Sequence, residues 1–504
     1  EWKDLLGLQL VHPNAGLWTF YHTIDSEVTT PFEAWQMSRF VDTQISHIPI
    51  QGAGVPAGDY FTLPTTSWMP YTWSTNNVVM AEVAHTSLGY WKAGRSDTAF
   101  NLLKGGILDS MFMGLCPGNS GMTTQFDMAR GESQRDFGDA AGTLSRTFIE
   151  GLYGVRPDVL SGELLIQPGF PSTWSHASLR HPDFEFVFQR RGLTETYTVE
   201  SHFSKPMRLR LRMPAIRDDV AQVAVNGQPA RWQNISDSIG FPSIEIQSQD
   251  GPRYKIAITW KGQKPAQASV RPIVAAGAEL TAHVGAARLI EVADPQRSLG
   301  GLTKEMNSFR AVAAGTRGHR TVFARVQQGS MDWWLPLSFE IRPAYEVLQI
   351  ENQDTTHVRF KIRNNTPAAI DREVTIKAGG VTTRAQLKLA AFGNSNELSL
   401  ASGELLPGSN TIEVELGNSA SVNGLVTNWK LKADNATTKW DSLDLTPVFN
   451  DRVTRIFKNE YLQPRSPYAT LAIPKQGIGS WTHFDEQFEV DDTGLRAFAG
   501  RNGG

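Results

Sequence analysis

One cysteine, Cys116, in a chain of 504 residues excludes an intrachain disulfide framework and any metal site built from several thiolates. Basic charge is in no surplus either. Lys and Arg number 48 against 51 Asp and Glu, a net charge of −3, which argues against nucleic acid as a partner. No uninterrupted apolar run is long enough to span a bilayer. A signal peptide is also missing, but the chain starts at Glu1 rather than Met, so an N-terminal portion is expected upstream. What is present describes a globular protein: 40% hydrophobic and 20% charged residues, in a chain too long for one core. Its 14 Trp exceed what cores alone usually need; rings that stack on sugar faces are one explanation, and ordinary packing accounts for most of them.

The first 157 residues read as helices. Pro at an early position and Phe32, Trp35, Phe40 and Ile45 predict a helix over 31–46. A second is predicted over 73–91, with Ser74 as cap and Met80, Ala84, Leu88 and Trp91 at helical spacing. Gly94 ends it, and Ser96 or Asp97 is expected to cap the next, where Phe100, Leu103, Ile107 and Met111 line one face. Helices joined this tightly form an αα-hairpin. A last helix is expected from Asp139, with Leu144, Phe148 and Leu152 spaced by four.

From residue 158 the period changes to two. Short strands are predicted at 163–167, 183–190, 207–213 and 254–260, with Asn226-Gly227 after Val223–Val225 as a hairpin turn. Residues 261–276, rich in Lys, Gln, Pro and Ala, read as a linker. Further strands are predicted at 319–326 and 333–341 around the turn 327–330. Those at 357–363, 373–378 and 409–414 suggest a small immunoglobulin-like sandwich.

Between the last two helical patterns lies a polar stretch, 116–139, which reads as a loop and holds Asp127, Arg130, Glu132, Arg135, Asp136 and Asp139. Carboxylates interleaved with guanidinium groups are what acid/base chemistry on a polyhydroxylated substrate requires, and Glu132, then Asp127, are the candidate catalytic pair. Arg130, Arg135 and Asp136 could contact substrate, with the guanidinium groups clamping a carboxylate or an acidic sugar. The other reading is structural: Asp139 caps the last helix and the arginines pair with the acids. Trp68, Tyr71, Trp73, Asn76 and Asn77, just before and at a helix start, offer aromatic faces and amides suited to a sugar ring. Glu82, His22, His85 and Cys116 read as structural. No His, Asp or Glu cluster has metal-ligand spacing, and neither metal nor cofactor is expected.

The segments 68–77, Pro117-Gly118-Asn119, Arg130-Gly131-Glu132, Arg135-Asp136-Phe137, 151–158 and Gln167-Pro168-Gly169-Phe170-Pro171 with Trp174 resemble a family of large bacterial proteins in the six-hairpin glycosidase superfamily. The resemblance extends through Gln328-Gly329-Ser330-Met331-Asp332-Trp333-Trp334 and 459–477. It implies a multidomain α + β chain. Residues 1–157 would be the C-terminal part of an (α/α)6 toroid, and 158–262 a β-sandwich packed on it. A β-rich accessory domain (263–342), an immunoglobulin-like sandwich (343–430) and a partial β-rich domain (431–504) would follow. A full toroid needs about twelve helices around one core, so its early helices are expected to lie upstream. The implied activity is cleavage of glycosidic bonds in a plant or microbial polysaccharide or its oligosaccharides, in the periplasm or outside the cell. A polysaccharide lyase using Tyr71 or His85 as base beside Arg130, and a non-catalytic glycan-binding scaffold, are the alternatives. Sugar, linkage and oligomeric state are not legible.

Overall fold

The computed structural model describes residues 15–52, 54–66, 78–110, 138–350, 356–406, 409–417 and 420–428. It gives the backbone alone of 2–3, 11–12, 111–113, 123–127, 132–135, 408, 470–471, 488–491 and 494–497. Among the described residues the chain is mainly β, with five α-helices at its N-terminal end. These are α1 (Leu17–Asp25), α2 (Pro31–Gln44), α3 (Met80–Lys92), α4 (Ser96–Ile107) and α5 (Gly138–Arg146). The last two continue as π-helical turns, Leu108–Met113 and Thr147–Leu152.

Helix α2 starts where Pro31 indicates, and Thr30 and Glu33 close a capping box around its first turn. Helix α3 begins later than its apolar spacing suggests. Val78–Val79 is instead a short strand, and the expected cap Ser74 lies outside the described residues. After the left-handed Gly94 (φ 79°), the N-cap of α4 is Arg95, not Ser96 or Asp97. Asp97 accepts instead from the Ser172 backbone N–H (2.9 Å) and hydroxyl (3.1 Å), tying the helical hairpin to the β-part. Asp139 sits in the first turn of α5 rather than at its cap, a position that still favours negative charge.

Three pairs of sheets follow. In the first, strands Phe184–Arg191 and Met207–Pro214 bury Phe184, Phe186, Phe188 and Met207, Leu209, Leu211, Met213 against one another. They belong to a six-stranded and a five-stranded sheet, whose inner faces make a sandwich core. The Asn226-Gly227 hairpin forms as expected, with both residues at positive φ (52° and 81°), the backbone of a type I′ turn. The second pair is built on the long hairpin Gly318–Gln328 and Met331–Arg342. Every second residue of its later strand, Met331 through Ile341, is buried.

Residues 261–276 are not a free linker. Ser269–Val270 pairs with Glu279–His283, and Ile273–Ala275 runs parallel to Met331–Arg342. Backbone pairing overrides the composition there. Side chains from Val155 to Ile341 make one continuous core, while the third pair of sheets, from Tyr345–Ile350 to Ala420–Asn428, has a core of its own.

The junction of helices and sheets explains several of the glycine-rich motifs. The Trp91 indole donates to the Gly169 carbonyl (2.7 Å) and lies between Gly151 and Gly169. A Cβ on either glycine would approach the ring to 2.4 or 2.2 Å, so both must stay bare. Phe170 stacks on Trp174 at 5.8 Å beside them. On another side, Phe32 of α2 stacks on Phe323 (4.3 Å) and meets Trp334 edge-on (4.9 Å), seating the helices against the second sheet pair.

Candidate functional site

The polar stretch 116–139 contains a β-hairpin rather than only a loop. Thr123–Asp127 pairs with Glu132–Arg135, and Val78–Val79 adds a third strand, with Val78 opposite Phe126. Thr and Phe at 123, 124 and 126 supply β-forming residues that the surrounding charges obscure. Asp127 and Glu132 are directly opposite in register, and Arg135 is opposite Thr123. Arg130, Asp136, Trp68, Tyr71, Trp73, Asn76 and Asn77 lie outside the described residues.

This small sheet leads straight into α3, and the first turn of α3 carries Glu82. The Tyr21 hydroxyl of α1 donates to Glu82 Oε2. Burial raises the Glu82 carboxyl above the usual carboxylate range. The Tyr21 hydrogen bond and the field of His22 oppose the rise, and the Asp139 carboxylate adds to it. Burial, then Glu82 and Asp139, push the Tyr21 phenol far above its ordinary value, so it stays a donor. Three helices thus contribute one residue each: Tyr21, Glu82 and Asp139.

A second layer fixes these groups. The His85 ring stacks on Tyr21 (4.2 Å between centroids, 17° between planes), and its Nε2 lies 3.2 Å from Asp25 Oδ2. His22 meets His85 edge-on at 5.5 Å. Burial, which favours the neutral ring, lowers the His85 pKa and outweighs the opposing hydrogen bond from the ring to Asp25. Burial alone would hinder ionisation of Asp25. Hydrogen bonds from Arg146 (2.6 and 2.8 Å), Lys92 (2.5 Å) and His85 override it and hold that carboxyl well below the usual range. Arg146 also binds Glu150 at 2.8 Å.

Sequence reasoning set Glu82, His22 and His85 aside as structural, and did not consider Tyr21 or Asp25. A signal was present: Tyr21 with Asp25, and Glu82 with His85, are four and three residues apart, the spacing of one helix face. Among the described residues, no group of three or more His, Cys, Asp or Glu side chains could hold a metal ion. No helix there is long and apolar enough to cross a membrane.

No family model and no curated protein matches the chain. Solved structures match only distantly. The Bacteroides ovatus mixed-linkage glucan utilization locus SGBP-B, in complex with a mixed-linkage heptasaccharide, is 14% identical with a TM-score of 0.19. That match covers 43% of this chain and 63% of SGBP-B, a little under two thirds of its length. Gamma-CGTase from Alkalophilic bacillus clarkii is 8% identical over 52% of this chain and 40% of that one, with a TM-score of 0.15. A tandem of titin Ig domains is 9% identical over 32% of this chain and 95% of that one, also at 0.15. At such scores the likeness carries no argument about function.

Proposed function

We propose that the chain is part of a glycoside hydrolase of the six-hairpin class, acting on a polysaccharide or its oligosaccharides, with Glu82 as proton donor. The observation that carries this reading is the half-buried Glu82 carboxyl, hydrogen-bonded by Tyr21 and beside Asp139, at the end of α3 that adjoins the Asp127/Glu132 hairpin. A carboxyl that burial raises above the ordinary range, close to further carboxylates, suits general-acid cleavage of a glycosidic bond.

With Glu82 Oε2 accepting from Tyr21, Oε1 is left to carry the proton. That proton passes to the glycosidic oxygen as its bond to the anomeric carbon breaks. Glu132, with Asp127 opposite it in register, takes a proton from the water that adds to that carbon. Trp68, Tyr71, Trp73, Asn76, Asn77, Arg130, Arg135 and Asp136 would line the sugar subsites, as the resemblance implies. The helices α1 to α5 would be hairpins of a toroid, and the site would face the periplasm or the exterior.

Reducing-sugar release from a panel of polysaccharides tests the assignment. Glu82→Gln is expected to lose at least about a hundredfold in turnover, the usual worth of a general acid. Glu132→Gln should lose as much. Undiminished turnover in Glu82→Gln overturns its role, and undiminished turnover in Glu132→Gln and Asp127→Asn overturns theirs.

The second reading, a lyase, draws on the neutral His85 ring beside Asp25 as a base. An unsaturated, ultraviolet-absorbing product lost in His85→Gln would favour it.

A further inference from the structure

An open cleft of about 380 Å³ is lined by residues of α4 and of the segment that carries the two-stranded pair Ile48–Pro49 and Phe61–Thr62. Its volume falls at the lower end of the ~300–1,000 Å³ found for small-ligand sites. Thr98 and Asn101, three residues apart on α4, form one wall, and Gln51 and Asp59 stand opposite. The side chains of Gln51, Asp59, Thr98 and Asn101 have no hydrogen-bond or ion-pair partner among the described residues. The His47 ring lies flat on Phe61, 4.3 Å between centroids and 15° between planes, with His47 itself exposed. The cleft therefore has a ring platform and, close by, two amides, a carboxylate and a hydroxyl, all uncommitted.

The charge pattern narrows the ligand. Lys104 borders this face, but its ammonium is taken up by the Tyr60 hydroxyl (2.8 Å) and sits 4.4 Å over the Tyr60 ring. No uncommitted Lys or Arg lines the cleft, and Asp59 repels anions. Phosphate, sulfate and uronate groups are thereby disfavoured. Vicinal hydroxyls, which both donate and accept, match amides and a carboxylate, and the apolar face of a pyranose ring matches the His47 platform.

We propose that this cleft is a second saccharide site, which takes an uncharged pyranose chain and holds it away from the reacting centre. Thr98 is in the first turn of α4, whereas Glu82 is in the first turn of the antiparallel α3. From Thr98 to the far end of α4 is about 14 Å of helix, so the two sites occupy opposite ends of one hairpin. The cleft binds whether or not the chain cleaves glycans.

Affinity electrophoresis of the full chain tests this, in native gels containing neutral β-glucan, xylan, galactomannan or starch, against an anionic pectate gel. At least one neutral polysaccharide should retard the chain, and pectate should not. Asp59→Ala/Asn101→Ala should weaken that retardation about tenfold, since it removes several hydrogen bonds at once. His47→Ala and Gln51→Ala, surface changes that spare the core, should weaken it as well. Glu82→Gln should leave it intact. Retardation by none of the neutral polymers overturns the proposal, as does full retardation of the double variant. If the parent hydrolyses none of these polysaccharides while the cleft variants lose retention, the hydrolase assignment falls and the second site stands.

Discussion

Glu245 of the β-part and Glu82 of the helical part, two carboxylates withdrawn from solvent, are treated in opposite ways. In the first sandwich the Glu245 side chain is 1% exposed, yet it is surrounded by partners. Arg212 Nε lies 2.5 Å and Arg210 Nη2 2.9 Å from its Oε2, and Gln247 reaches Oε1 at 2.6 Å. Burial works against ionisation, but these bonds prevail and hold the carboxyl down at about 2. Glu195, equally buried, is likewise met by Arg190, Tyr197 and Trp260. In the helical part, burial raises Glu82, and its hydrogen-bonding partner is a phenol rather than a cation. Asp109, at the end of α4, is pushed up to about 6 by burial alone. Carboxylates that serve only the fold are neutralised by their surroundings. One left uncompensated is unfavourable for stability, and such groups cluster at functional sites.

That contrast can be broken or sharpened by experiment. Glu245→Gln should have the largest effect on stability, a loss of about 3 kcal/mol in denaturant unfolding at pH 7, because it leaves Arg212 without its counter-charge and Arg210 with Glu163 alone. The folded Glu245 pKa lies below its unfolded value. Its contribution is therefore present above the unfolded pKa and is lost as pH falls towards about 2. Parent and variant should converge in stability across that window.

Asp109→Asn should act in the other direction. Its folded pKa is raised from 3.8 to about 6, so its relative stabilisation is full below the unfolded pKa and is lost as pH rises through the folded one. Removing the charge should gain about 2 kcal/mol at pH 7 and almost nothing at pH 4, read from thermal melts at both values. Gly227→Ala, which strains the hairpin turn at φ 81°, should cost about 1 kcal/mol with no change in pH dependence. The smallest effect is kinetic. Tyr21→Phe removes a bond that lowers the Glu82 pKa, so the alkaline limb of the pH–rate profile should move up. A downward shift would mean that Tyr21 favours the protonated acid.

The same contrast explains what the sequence made legible. Strands such as Met207–Pro214 and Met331–Arg342 alternate buried and outward residues without a break, and local patterning suffices to find them. The Asn226-Gly227 turn follows from two adjacent residues. Helix α2 follows from Pro31 and its apolar spacing. The strand Ile273–Ala275 escaped because its pairing with Met331–Arg342 is invisible in a Lys-, Gln- and Pro-rich stretch. The candidate site was least legible. Tyr21 and Glu82 are 61 residues apart, and what distinguishes Glu82 from any first-turn glutamate is desolvation, which only the packing of α1, α3 and α5 creates. The polar stretch 116–139 drew attention by its density of charge, and its hairpin does adjoin α3. Density of charge, however, marks solvated groups as readily as reactive ones.

The central claim is that burial raises the Glu82 carboxyl where hydrogen-bonding partners hold the Glu245 carboxyl of the sandwich down. Carbon-13 NMR titration of the labelled Glu82 carboxyl, assigned by its disappearance in Glu82→Gln, measures this directly. A midpoint clearly above the ordinary glutamate value of about 4.3, with Glu245 titrating well below it in the same spectra, is the expected result. A Glu82 midpoint at or below that value would contradict the account.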